Sequence, residues 1–196
     1  MATVISEFAA DITRDAANYP VSGMLQKFLM IPGSELDPPT NVTQSTESLV
    51  TDIVPDAAGH VVDGIGDNTT MDFIEEGVEN VKGRNGYTLG IVGISVLDPS
   101  TEVREIVKDA FVGGGHCYVV FQRKWGGTSR EDAFLFGGYT HGLVVKNLKW
   151  AGLENDGAMS FDLMTPDERT EPFGWMNYLK TNYTTTETDV WTNKLA

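Results

Sequence analysis

GGYTHGLVVKNLKWAGLENDGAMSFDLMTPDERTE, residues 137–171, is the stretch that decides the fold class. Two apolar segments flank a polar turn that contains Asp156-Gly157, a pair suited to a turn with positive φ. In the second segment Met159, Phe161 and Leu163 alternate with small or polar residues. This period of two is typical of a half-buried antiparallel strand, so the stretch predicts a surface β-hairpin in a β-rich domain.

Further apolar runs predict strands on both sides of this hairpin. They cover residues 24–31, 87–97, 116–122 and 133–136. Within 87–97 the apolar positions change parity near Val92-Gly93, which predicts a β-bulge there. The hairpin itself is predicted to pair residues 143–150 with 158–164.

One segment has the spacing of an amphipathic helix. Residues 100–111 place Val103, Ile106, Val107 and Phe111 at helical intervals, and the glycines that follow end the pattern. We expect this helix to pack on a sheet through those four side chains. The sequence therefore predicts a mainly β protein, a β-sandwich or open barrel with one packed helix.

Two long regions have broken periodicity. Residues 33–86 are rich in Pro, Thr and Gly, and residues 172–196 are polar with scattered aromatic side chains. We expect a single domain over residues 1–196, with a projecting loop at 33–86 and a C-terminal arm at 172–196. Residues 1–20 fit either a short helix or a docking arm.

The charge balance is strongly acidic and uneven. The chain has 14 basic and 28 acidic residues, a net charge of −14. Such a charge repels phosphate and argues against a nucleic-acid grip. Residues 116–151 reverse the sign, with five basic and two acidic residues, and are a candidate to contact an acidic patch on a neighbouring subunit.

Targeting and redox features point to a cytoplasmic site of synthesis. No apolar run reaches the roughly 20 residues of a membrane helix, and the N-terminus lacks the pattern of a signal peptide. The single cysteine, Cys117, cannot form an internal disulfide and suits a reducing compartment.

No group of residues has the spacing of an active site. The three histidines, His60, His116 and His141, lack metal-type partners nearby, and Cys117 lies in the apolar run CYVVF, where a thiol is an inert core residue. The glycine-rich pieces do not precede a helix in the way a phosphate loop does. We therefore expect no catalytic, cofactor-binding or metal site and no enzymatic activity.

The order of elements resembles the tail tube proteins of tailed bacteriophages, a fold shared with the tube protein of type VI secretion. Three stretches carry this resemblance: MLQKFLMIPGSEL at 24–36, the helix STEVREIVKDAF at 100–111 and the late hairpin within 142–172. The resemblance implies copies that form rings, usually hexameric, in which the sheets of neighbouring subunits join around a lumen. The rings stack into a tube through which DNA passes without specific binding.

Under this resemblance the chain is a virion tail protein made in the bacterial host cytoplasm, with other tail proteins as partners and no membrane contact. The competing hypotheses are another virion part (a head decoration, connector or tail terminator protein), a monomeric β-sandwich binding module, and a small enzyme. Large apolar side chains in the two irregular regions are the predicted contacts between subunits. They are Leu49, Ile53, Phe73, Trp175, Tyr178 and Trp191.

Overall fold

The computed structural model describes residues 20–64, 71–79, 85–96, 101–125, 129–150 and 158–195. The strands are β1 (Pro20–Pro32), β2 (Val42–Thr46), β3 (Leu49–Ile53), β4 (His60–Asp63), β5 (Asp72–Val78), β6 (Gly86–Val96), β7 (Cys117–Trp125), β8 (Phe134–Gly137), β9 (Val144–Trp150), β10 (Met159–Met164) and β11 (Met176–Tyr178). The helices are α1 (Pro38–Asn41), α2 (Thr101–Gly113) and α3 (Tyr183–Thr188), and a π-helical turn at Asp189–Asn193 follows α3.

These strands form two sheets. The large sheet has the order β2-β3-β11-β8-β7-β1-β4, and the small sheet has the order β5-β6-β10-β9. All neighbours are antiparallel except β11 and β3, which are parallel. The predicted fold class, a mainly β sandwich-like protein with few helices, is confirmed.

The large sheet has an apolar core on each face. From β1, Phe28 and Met30 enter the core between the two sheets, whereas Leu29 and Ile31 enter a second core on the opposite face. Strand β7 divides its side chains between the same two cores. Burial on both faces explains why the runs FLMI and CYVVF are continuously apolar instead of alternating.

The predicted hairpin and bulge are both present. Strands β9 and β10 pair, and Met159, Phe161 and Leu163 all point into the inter-sheet core. The register of β6 against β10 shifts beside Gly93, which has φ of 69°. The polar turn of the hairpin lies outside the described residues.

Helix α2 packs alongside β9, but its buried face differs from the prediction. Val107 and Ala110 are buried, and Ile106 packs against the inter-sheet core. Phe111 is 49% exposed, because it lies about 90° around the helix from the centre of that face. The side chain of Val103 is outside the described part of the chain.

The two regions predicted to project are built into the sheets. Residues 33–86 contain β2, β3, β4 and β5. Residues 172–196 contain β11, which lies between β3 and β8 in the large sheet, and the helical segment that covers its second core. The sequence indicates short strands at 49–54 and 71–74, which correspond to β3 and the start of β5. Strands β2, β4 and β11 are not indicated, because they are only three to five residues long and carry too little pattern. Residues 1–19, the predicted helix or docking arm, lie outside the described residues.

Candidate assembly surfaces

The six predicted contact residues fall into two groups. Ile53 and Tyr178 are buried inside the chain, so their side chains are not available to a neighbouring subunit. The others are partly buried, and three of them pack on the chain's own cores: Phe73 and Trp175 on the inter-sheet core, and Trp191 on the second core. The expectation that these side chains are displayed on projecting arms was wrong, because they lie in sheet strands, in the C-terminal helical segment or, for Trp175, in the bend directly before β11.

Trp175 joins the C-terminal segment to the small sheet. Its ring meets Phe121 edge-on at 4.9 Å between centroids, and Phe121 lies 5.0 Å from Phe73 of β5. The indole Nε1 donates to the Ile74 carbonyl at 2.8 Å, and the backbone N–H donates to the Glu75 carboxylate at 2.7 Å. The position of β5 is therefore fixed by a residue 100 positions later in the chain.

A glycine makes room for this ring. A Cβ atom at Gly137 would collide with the six-membered ring of Trp175. The glycine at position 137 of β8 is therefore required for packing, because any side chain there would displace the Trp175 ring.

One carboxylate on the outer face of the small sheet holds two bulges. Asp162 of β10 accepts from the backbone N–H of Gly93 at 2.9 Å and from the side-chain amide of Asn147 at 2.7 Å. Gly93 and Asn147 both have positive φ, and each lies where its strand shifts register against β10. Paired bulges increase the local twist, so Asp162 helps to set the curvature of this sheet.

Strand β5 is an acidic end of the small sheet. Asp72, Glu75 and Glu76 are exposed, and β5 has one neighbour, β6, among the described strands. The register partner of Glu75 is Leu89 of β6. The backbone N–H and C=O of Leu89 form their hydrogen bonds with Thr165, on the side of β6 that faces away from β5. By the alternation of an antiparallel ladder, Glu75 then turns its backbone N–H and C=O toward the outer edge.

The other end of the small sheet is basic and aromatic. Trp150 at the end of β9 is 48% exposed, and Arg104 and Lys108 of α2 lie over its ring at 5.4 and 5.2 Å. Lys149 and Lys146 belong to the same strand, and Lys146 forms an ion pair with Asp167. The two ends of one sheet therefore differ in the sign of their charge.

In the part of the chain that is described, titratable side chains share a cleft without forming a metal site. His60 and His116 both line a cleft of about 690 Å³ beside α2, together with Glu35 and Asp109. No group of three or more His, Cys, Asp or Glu side chains among the described residues could hold a metal ion.

Three buried side chains, a thiol and two phenols, carry protons that the folded protein retains to higher pH than the unfolded chain. Burial raises the pKa of Cys117 from 9.0 to about 12 and that of Tyr118 from 10.0 to about 12, and burial with the Asp189 hydrogen bond raises the pKa of Tyr178. The protonated forms stabilise the folded chain, so this stability is complete below the unfolded pKa values and is lost as the pH rises above them.

We expect the free energy of unfolding to fall from about pH 9 upward. The Cys117 thiol alone accounts for a loss of about 1.4 kcal/mol in the free energy of unfolding for each pH unit between 9.0 and 12. Urea titrations at a series of alkaline pH values measure this, and Cys117→Ala should show a shallower decline. A stability that stays constant to pH 11 would contradict the assignment.

Searches against protein-family models, curated proteins and solved structures found no match to the chain. Of the helices that the structure describes, none combines the length and apolarity needed to cross a membrane.

Proposed function

We propose that the chain is a virion structural protein whose copies assemble head to tail into rings, and that these rings stack into a bacteriophage tail tube that conducts DNA. The observation that carries the proposal is the opposite charge of the two ends of the small sheet. At one end lie Asp72, Glu75 and Glu76 of β5, and at the other lie Trp150 and its surrounding cations.

Opposite charges on different surfaces of one chain favour a heterologous contact. The acidic end of one copy attracts the basic end of the next, and each added copy again presents one end of each sign. A repeated contact of this kind produces a ring if its rotation closes and a filament if it does not. The resemblance to tail tube proteins favours a closed ring over an open filament.

The edge of β5 supports the same assembly. Its outward backbone groups at Glu75 can accept another strand or segment, and a partner that covers them removes a site for uncontrolled pairing. The exposed carboxylates repel a second acidic edge, so they select a basic surface as the partner. Self-association through β5 is thus directed to the Trp150 end instead of to another copy of β5.

The overall charge fits a conduit. With a net charge of −14, the protein repels the phosphates of DNA, so a strand can pass without adhering. On this proposal the partners are further copies of the chain and other tail proteins, no cofactor is needed, and the location is the tail of the virion. The opposed charges also suit a different ring-forming virion part, such as a connector or terminator protein, which stacking into tubes would distinguish.

Charge reversal at one end should prevent assembly, and reversal at both ends should restore it. Glu76→Lys is expected to lower the assembled fraction strongly, since like charges replace an attraction at each contact. Adding Lys149→Glu to that variant should recover assembly. Size-exclusion chromatography with light scattering measures the mass of each species.

Glu131→Lys is the matched control, because Glu131 is exposed in a turn before the large-sheet strand β8. It changes the net charge by the same amount and should leave assembly intact. If Glu76→Lys assembles like the unchanged protein, or if Glu131→Lys is equally disruptive, the head-to-tail contact proposed here is wrong.

A further inference from the structure

A groove of about 390 Å³ gathers positive charge in this acidic protein. It lies between β1, β7 and the C-terminal helical segment, and four of its lining residues are cations against one carboxylate, Glu187. The four cations are Lys27, Arg123, Lys124 and Arg130. In a chain of net charge −14, such a concentration of cations is a local reversal that indicates an anionic ligand.

Aromatic rings hold three of these cations in place. The pairs are Lys27 over Trp191 at 4.3 Å, Arg123 over Trp125 at 5.1 Å and Arg130 over Tyr183 at 5.4 Å. Because each ring already has a cation over it, the rings serve to position charge. The groove is accordingly a poor platform for stacking nucleic-acid bases, which need open ring faces.

The Tyr183 ring is itself fixed. Its hydroxyl accepts from the Gln122 amide at 3.0 Å and donates to Glu187 at 2.8 Å. Arg130 over this ring therefore lies on a rigid base, and the single carboxylate of the groove is already engaged as an acceptor. Positioned cations lose less conformational entropy when a ligand binds.

Three side-chain donors of this groove have no acceptor. They are Arg123 Nε, Trp125 Nε1 and Trp191 Nε1, and all three atoms are shielded from solvent. Only two other buried side-chain polar atoms in the described part of the chain are unpartnered. These three groups can donate and cannot accept. Buried donors are almost always paired in folded proteins, so three orphans beside one groove mark a place that is short of acceptor oxygens. Because the three atoms are shielded from solvent, a ligand in the groove reaches them only when the surrounding side chains shift.

We propose that this groove binds a phosphate group, either as inorganic phosphate or as the phosphate of a small ester. A phosphate dianion offers three strong acceptor oxygens and a charge close to −2, which matches three unpaired donors and a surplus of cations. A carboxylate has one oxygen and one charge fewer. The volume leaves room for an organic group attached to the phosphate. The site is separate from the assembly contact at β5 and Trp150, so either proposal can fail without the other.

Tryptophan fluorescence tests the site on the intact protein, in the assembled or unassembled form. Inorganic phosphate and a nucleoside monophosphate are each titrated against a chloride control of equal ionic strength. We expect a saturable change in emission that is reduced in Trp125→Phe and in Trp191→Phe and retained in Trp150→Phe. A response to both ligands assigns a site for phosphate esters, and a response to inorganic phosphate alone assigns a site for the free ion.

Calorimetry with charge variants locates the binding energy. Arg130→Gln should weaken phosphate binding about tenfold, the equivalent of one charge-assisted hydrogen bond. Arg169→Gln removes an exposed cation elsewhere and should leave the affinity unchanged. The proposal is overturned if phosphate has no saturable effect, if acetate binds as well as phosphate, or if Arg169→Gln and Arg130→Gln weaken binding equally.

Discussion

Deletion of residues 181–196 is expected to unfold the protein. This segment places Val190 and Leu195 in the second core of the large sheet, and its Asp189 accepts the hydrogen bond of the buried Tyr178 hydroxyl at 2.6 Å. Loss of the two apolar side chains lowers the free energy of unfolding by about 3–6 kcal/mol. The buried Tyr178 hydroxyl, left without its acceptor, lowers it by roughly 1–3 kcal/mol more. That sum is comparable to the whole stability of a typical domain.

A C-terminal arm that supplied only subunit contacts, as the sequence indicates, would instead leave a folded monomer that assembles poorly. Circular dichroism during heating decides between the two outcomes, because the truncated chain should lack a cooperative transition. Val190→Ala in the full chain should lower the melting temperature in a graded way, whereas Thr192→Ala, at an exposed position of the same segment, should not. A truncated chain that melts like the full one would show that the segment is dispensable.

Phe121→Ala should be among the most damaging single substitutions, lowering the free energy of unfolding by about 3–5 kcal/mol. Phe121 is fully buried between the sheets and contacts the rings of both Phe73 and Trp175. Its removal leaves a cavity where β5 is joined to the large sheet. The substitution should therefore also weaken the attachment of the acidic strand β5 to the large sheet.

Phe111→Ala is the matched control, since it deletes the same atoms from a ring that is 49% exposed. Its cost should be a small fraction of the cost at Phe121. Urea titration of both variants gives the comparison. Equal losses would mean that Phe111 is a core residue of α2 after all, as its helical spacing first indicated.

Local periodicity was enough to predict the main strands and the fold class. The long apolar runs of β1, β6 and β7 predict these strands, the alternation of apolar and polar side chains predicts β10, and a parity change predicts the bulge at Gly93. The second bulge, at Asn147, has a similar signal in the sequence, because the apolar residues Val145 and Leu148 stand three apart. Both signals are local, which is why they can be recognised in one sequence.

Contacts between distant residues could not be predicted in this way. Trp175 depends on the missing side chain of Gly137 and on the carbonyl of Ile74, and neither relation has a spacing signature. Glu171 is equally hidden: it is fully buried and accepts from the backbone N–H groups of Thr140 and His141. In the sequence it ends the polar run TPDERTE, which gives no sign of a buried carboxylate.

The candidate surfaces for assembly and for phosphate binding were also only partly predictable from the sequence. The basic character of residues 116–151 was visible in the sequence, but the structure divides its cations between the Trp150 end of the small sheet and the groove beside Trp191. The acidic partner surface, β5, lies inside a region predicted to project as a loop, in which the sequence indicates only a short strand at 71–74. Aromatic side chains predicted as subunit contacts instead pack within the chain, because three-residue β11 and its flanks carry too little pattern to indicate a sheet.

Negative-stain electron microscopy of the concentrated, purified protein is the most direct test of head-to-tail assembly. The proposal predicts closed rings with a central opening, which stack into tubes, and their disappearance in Glu76→Lys. Particles that remain single subunits at the highest concentration, or that form only two-fold dimers through one shared surface, would contradict it.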